Sequence, residues 1–226
     1  MKRTIIFLVT LGGLIITTFI IGRVTNALQL FSTATTSNYP SIKVGSIFFA
    51  SNLIKPKHFD FICYKAEVPE FGKSIFVHRL CGVEGDKIEI KQGNLYVNDK
   101  SIDENFTLAH NYILTHAELN KVKESEKIGE ESIQELSKDT VLCYLRDDLV
   151  KTKVVKAVRQ LLPKEHRDDF IYKQYSADWN QDNFGPITVP IGKYFVLGDN
   201  RLYSQDSRYL GFIDKSQYVA TLLYNK

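Results

Sequence analysis

Between Gly198 and Arg208 the chain carries Asp199, Asn200, Arg201, Ser204, Asp206, Ser207 and Arg208, directly after the strand-like run Tyr194-Phe195-Val196-Leu197. Carboxylates, guanidinium groups and hydroxyls at this density make either a solvated turn or a place where protons are held and moved. Composition by itself favours the turn; the order of the residues has to decide. His78 is a second candidate. It lies in the strand-like run Ser74 to Cys81, where alternation sets it on the face of Phe76 and Leu80, pointing into a partly apolar surface. Hydrolysing a peptide bond with a serine needs a hydroxyl nucleophile, a base to take its proton, and donors for the oxyanion. Hydroxyls are plentiful in the Thr-, Ser- and Asn-rich segment from Asn26 to Pro40.

Other chemistries find little support. Cys63, Cys81 and Cys143 are too few and too scattered for a disulfide framework or a zinc site, and Cys63 and Cys81 sit in apolar runs that read as buried thiols. His58, His110, His116 and His166 have no motif around them and are assigned to loops or surface. There is no metal motif, phosphate loop or dinucleotide fingerprint, so neither metal nor cofactor is expected. A net charge of +3 on 226 residues gives no reason to invoke nucleic acid.

The elements that must position these residues follow from patterning. Lys2 and Arg3 precede Thr4 to Gly22, 19 residues without a charge, closed by Arg23. A bilayer core takes about 20 apolar residues as helix. A cleavable signal peptide also has a basic start and an apolar core. This run is longer than such a core and lacks a clean small-x-small site, Thr33-Ala34-Thr35 being a weak one, so residues 1–25 are read as an uncleaved anchor. From Ile42 to Asn98 the pattern is β, with Lys91-Gln92-Gly93-Asn94 as a hairpin turn. It resumes at Gly185-Pro186 and runs through Ile187 to Val189, Tyr194 to Leu197 and Tyr218 to Tyr224. Residues 103–182 differ. Ala117 to Leu136 is charged and helix-compatible, and Leu149 to Leu162 places Val150, Val154, Val158 and Leu161 at helical spacing among basic residues. Such a helix can lie on an anionic membrane or pack on a sheet, and packing is the favoured reading. The expected fold is mainly β, with residues 26–102 and 183–226 as a catalytic β domain, 103–182 as an inserted α/β cap, and one N-terminal transmembrane helix.

The order Gly198-Asp199-Asn200-Arg201-x-x-Ser204-x-Asp206-Ser207-Arg208 resembles the last signature box of the type I signal peptidases at every defined position. Two further boxes carry the resemblance. Ser37-Asn38-Tyr39-Pro40 stands where the family has Ser-Met-x-Pro, with Asn38 in place of Met. His78-Arg79-Leu80-Cys81-Gly82-Val83-Glu84-Gly85-Asp86 stands where bacterial members carry Lys-Arg-x-x-Gly-x-x-Gly-Asp, with His78 at the lysine position. Val77-His78-Arg79 is similar instead to the Ser/His signal peptidases of the endoplasmic reticulum and archaea. The segment Trp179 to Pro190 resembles the return from cap to core in longer bacterial members.

The resemblance implies a membrane-anchored serine endopeptidase that removes signal peptides from exported preproteins. Ser37 is the implied nucleophile, His78 the base, and Thr35, with the Ser37 backbone N–H, the oxyanion donor. Asp206 is the carboxylate expected to orient His78. An internal pair of Asp206 with Arg208 or Arg201 explains it equally well. Ser204, Asp199 and Arg208 belong to the supporting set, with the role of Ser204 open beside a histidine. A lysine, with pKa about 10.4, must be desolvated before it can act as a base, whereas histidine starts near 6.5, so the exchange is workable and activity should fall through roughly pH 6 to 7.5. Lys73 and Lys87 do not fit the frame as displaced bases. The implied partners are signal peptides and the lipid bilayer, with Lys2 and Arg3 on the cytoplasmic side and the catalytic domain outside. Asn38, His78 and Leu202-Tyr203, the last in place of an Asp-Asn pair, depart from the family pattern. They motivate two other readings: a non-catalytic, membrane-tethered peptide-binding module, or a processing peptidase with few clients.

Overall fold

The structure, a computed structural model, describes residues 2–25, 27–68, 72–124, 128–152 and 155–223. Helix α1 (Lys2–Val24) opens the chain, and its apolar side chains, Ile6, Phe7 and Leu14 among them, are exposed. Its 23 residues at about 1.5 Å each exceed the roughly 30 Å of a bilayer core. Among the described helices it alone is long and apolar enough to cross a membrane.

Fifteen strands follow among the described residues. They begin with β1 (Gln29–Ser32), β2 (Ile47–Ser51), β3 (Phe61–Val68), β4 (Gly72–Val83), β5 (Lys87–Lys91), β6 (Asn94–Val97), β7 (Lys100–Ser101) and β8 (Ala109–Thr115). Helix α2 (His116–Lys123), β9 (Ile133–Glu135), β10 (Thr140–Arg146), α3 (Asp147–Thr152), β11 (Ala157–Arg159) and α4 (Asp169–Tyr175) come next. The chain closes with β12 (Phe184–Thr188), β13 (Lys193–Leu197), α5 (Ser207–Leu210), β14 (Ile213–Asp214) and β15 (Tyr218–Leu222). The architecture is mainly β. A seven-stranded sheet runs β1-β2-β15-β3-β4-β13-β14, a four-stranded sheet runs β12-β5-β6-β7, and β11-β8-β10-β9 form a third. The hairpin between β5 and β6 turns on Gln92 and Gly93, both at positive φ, as a tight two-residue turn requires.

The third sheet has its own core of Tyr112, Leu114, Leu119, Val122, Val141, Cys143, Leu145, Leu149 and Val155. Two helices expected from spacing are shorter than the sequence suggested. Residues 117–136 give a helix only as far as Lys123, capped by Thr115, and Ile133–Glu135 then pairs with β10. The stretch 149–162 gives only the end of α3, and Ala157–Arg159 pairs with β8 as a strand. The β-branched Val158 satisfies its backbone in that sheet. Helical spacing alone could not exclude this. Lys153, Val154, Asn26, Tyr224 and residues 125–127 lie outside the described residues. His110, expected in a loop or at the surface, is buried in β8, with Nδ1 2.7 Å from Asp147 Oδ1. Ile171 of α4 packs instead with Ile88, Leu95, Phe184 and Phe195. Cys63 and Cys81 are buried free thiols, as their apolar context predicts, and Cys143 is buried as well.

One buried ion pair ties the polar loop to the segment just after β7. Arg201 donates to both oxygens of Asp103, at 2.9 and 2.6 Å, and its Nε donates to the Gly198 carbonyl. Both side chains are nearly inaccessible. Removing one partner of such a pair leaves an uncompensated charge. Asp103→Ala should therefore lower stability by about 3–5 kcal/mol, and Asp103→Ala/Arg201→Met should recover much of it. Thermal unfolding of the detergent-solubilised chain measures both, and an unchanged midpoint for the single variant would contradict the assignment.

Candidate active site

His78 lies on β4 and is 1% exposed. The β3–β4 register sets Ile62 opposite His78 and Tyr64 opposite Phe76, so Tyr64 is a diagonal neighbour on the same face. Tyr64 Oη is 2.8 Å from His78 Nδ1. On the other side, Ser204 Oγ is 3.1 Å from His78 Nε2. Burial pushes the imidazole down to about 4; Asp206 and Asp199 oppose this and Arg208 reinforces it. The expected titration near 6 to 7.5 is corrected accordingly. His78 is neutral at physiological pH because its surroundings do not solvate an imidazolium.

Ser37 sits in the turn that follows β1. Thr35 Oγ1 and Ser37 Oγ are 3.0 Å apart. The polar loop holds this turn by its backbone: Asn200 N donates to the Ser37 carbonyl at 3.0 Å, and Asn200 Nδ2 to the Thr36 carbonyl at 3.1 Å. Gly198 lets the two segments meet. A Cβ there would collide with both Ser204 Oγ and the Ser37 carbonyl oxygen. Among the described residues no hydrogen bond joins Ser37 to His78. The two side chains line one groove of about 550 Å³ instead. Ser32 to Thr35, Ser37 and Asn38 form one wall, and Ser74 to His78 of β4 form the other. Catalytic contacts are often loose before substrate closes the site.

Asp206 is not the partner of His78. Both of its oxygens are taken by Arg208, at 2.9 Å each, and Gly198 N donates to one of them at 3.0 Å. Burial alone would raise the Asp206 pKa, but the adjacent guanidinium holds it below the usual carboxylate range. Asp206 acts on His78 through its field, and Tyr64 occupies the nitrogen that a carboxylate was expected to reach. Asp199 likewise serves the scaffold. It receives Arg79 Nε at 2.7 Å and Nη2 at 2.5 Å, and accepts from Ser41. Arg79 also stacks over Phe61 and Phe106, each 4.2 Å from its guanidinium carbon. Lys73 is exposed near the far end of β4, and Lys87 is paired with Asp99. His58 pairs with Asp86 at the surface, His116 opens α2, and His166 is exposed.

Sequence reasoning missed Tyr64 because it belongs to no signature box. Pairing the run Phe59 to Tyr64 with Ser74 to Cys81 as adjacent strands was the signal that could have found it. Asn38 proves to be structural as well as a groove residue. Its Nδ2 donates to the Val77 carbonyl at 2.6 Å, while its buried Oδ1 has no partner among the described residues. Val77 lies on the part of β4 that β13 does not cover, since β13 pairs only from Arg79 onward. The groove is thus bounded by the edge of a sheet.

A sequence profile of the family described as signal peptidase, peptidase S26, matches residues 2–224. The chain belongs to that family. Signal peptidase IB of Staphylococcus aureus (strain Mu50 / ATCC 700699) is 32% identical over 149 residues, covering 66% of this chain and 51% of the relative. Signal peptidase I S of Bacillus subtilis (strain 168) is 29% identical over 147 residues, covering 65% and 48%. The chain spans about half the length of these curated relatives. A crystal structure of a signal peptidase I from Enterococcus faecalis V583 matches at 24% identity and a TM-score of 0.36, over 75% of this chain and 97% of that one.

Gly198 yields a test of this signal peptidase family site. Gly198→Ala must push the Ser37 turn away from Ser204, and misplacement of reacting groups by about 1 Å can cost on the order of 10²-fold in rate. The peptidase activity proposed below should fall by about that factor while the strand content seen by circular dichroism is kept. An unaltered rate would show that the close approach is not needed.

Proposed function

We propose that this chain is a membrane-anchored serine endopeptidase that removes signal peptides from exported preproteins. The observation that carries the reading is one groove lined by both Ser37 and His78, with Ser204 at His78 Nε2, in a chain matched to the signal peptidase family over residues 2–224. Ser37 attacks the scissile carbonyl. His78 takes its proton and returns it to the leaving amine. Thr35 and the Ser37 backbone N–H hold the oxyanion, and Ser204 helps to fix His78. Asp199, Asp206 and Arg208 keep the loop in place. Residues 26–102 and 183–226 act as the catalytic domain, with residues 103–182 as its cap.

The substrate lies extended along the open edge of β4, where main-chain hydrogen bonds supply affinity and small pockets read alternate side chains. Family resemblance implies small residues around the cut, as in Ala-x-Ala. Helix α1 is the anchor, with Lys2 and Arg3 cytoplasmic and the catalytic domain on the other side. Leu30, Ile47, Phe49, Leu53 and Ile54 project outward just after α1, which supports a domain resting against the bilayer.

Cleavage of an exported precursor by the detergent-solubilised chain tests the reading. Ser37→Ala should abolish it. His78→Ala should lose about 10² to 10⁴-fold or more. Lys73→Ala should be neutral. Protonation removes the lone pair on Nε2, so kcat/KM should fall only as pH drops through about 4. Cleavage by Ser37→Ala would refute the nucleophile, and precursor binding without cleavage by the unmutated chain would favour a peptide-binding module.

A further inference from the structure

The imidazole of His78 has two nitrogens, and the proposed reaction uses only Nε2. What Nδ1 does then decides whether Nε2 has a lone pair to offer. A histidine base is ordinarily oriented by a group on its remote nitrogen, most often a carboxylate. Here Asp206 is occupied by Arg208 and Gly198. The group at Nδ1 is the phenol of Tyr64, 2.8 Å away and fully buried.

We propose that Tyr64 is the positioning residue of the histidine base: its hydroxyl oxygen accepts Nδ1–H, leaving the lone pair on Nε2 toward Ser204 and Ser37. This deepens the reading of His78 as base and rests on it. As the Ser37 Oγ–carbon bond forms, the Ser37 proton moves to Nε2. The imidazolium then carries protons on both nitrogens, and Nδ1–H stays bonded to Tyr64 Oη. No proton passes to Tyr64. When the peptide C–N bond breaks, Nε2–H returns its proton to the leaving amine.

Three observations support a neutral phenol in this role. Tyr64 cannot ionise at working pH, because burial and then the charge of Asp206 push its pKa well above its ordinary value. Its ring is held by Phe76, with centroids 6.1 Å apart, and it lies 5.9 Å from the His78 ring. The charges facing His78 come from Asp206, Arg208 and Asp199, while Arg79, next along β4, is engaged with Asp199. A carboxylate directly on Nδ1 would favour the imidazolium. A phenol fixes the tautomer without adding that charge.

The test compares the pH profiles of kcat and KM for precursor cleavage by the full chain and by Tyr64→Phe, with His78→Ala as the control. Tyr64→Phe keeps the ring and removes only the hydroxyl. We expect kcat to fall about ten-fold or more with KM little changed, and the acidic limb to move to lower pH, since the imidazolium loses an acceptor. If Tyr64→Phe unfolds at a similar temperature yet keeps both kcat and the limb, Tyr64 only fills space and the proposal is overturned. A limb that moves to higher pH would mean that the hydroxyl donates to Nδ1, which also overturns it. Full activity of His78→Ala, or a silent unmutated chain, would bring down the parent reading and this one together. An inactive His78→Ala beside an unaffected Tyr64→Phe brings down this one alone.

Discussion

Keeping one imidazole out of water, uncharged and still able to accept a proton is the demand that organises this site. His78 is buried to 1% exposure, and burial depresses its pKa to about 4. A buried neutral histidine still needs hydrogen-bond partners on both nitrogens, or desolvation leaves it strained. Tyr64 from β3 and Ser204 from the polar loop provide them. The first is supplied by strand register. The second requires the loop after β13 to come within contact of the Ser37 turn, which Gly198 permits because it lacks a side chain.

The loop is held by charge pairs that do not touch the reacting atoms. Arg79–Asp199 fastens it to β4, Arg201–Asp103 to the segment just after β7, and Arg208–Asp206 closes it on itself. Each is a geometrically constrained pair in a nearly dry environment. Arginine suits this work because its planar fork fits a carboxylate with paired, parallel hydrogen bonds. Such pairs add little net stability over apolar packing, but breaking one is severe. They act here as fixed pegs. The signature sequence 198–208 is therefore mostly scaffold, with Ser204 alone in contact with His78.

Much of this arrangement was legible in the sequence. The uncharged run after Lys2-Arg3 gave α1, the Gln92-Gly93 turn gave the β5–β6 hairpin, and alternation put His78 beside Phe76 and Leu80 on an inward face. The boxes located Ser37, Thr35, His78 and Ser204, which meet in pairs as Thr35–Ser37 and Ser204–His78. Tertiary pairing was not legible. Which carboxylate faces which base depends on distances across sheets, so Asp206 was open between two partners and Tyr64 was invisible. The stretch 149–162 misled for a different reason. Val150, Val154, Val158 and Leu161 fit a helical stripe, yet strand pairing with β8 takes over from Ala157. His110 carries no motif, and only the formation of β8 buries it against Asp147.

The central claim is that His78 is a neutral base with its lone pair on Nε2. Nitrogen-15 NMR of histidine-labelled, detergent-solubilised full chain, with His78 assigned by difference against His78→Gln, measures this directly. The account predicts a neutral ring protonated at Nδ1 across pH 5 to 8, with a midpoint near 4. An imidazolium at neutral pH, or a neutral ring protonated at Nε2, would contradict it.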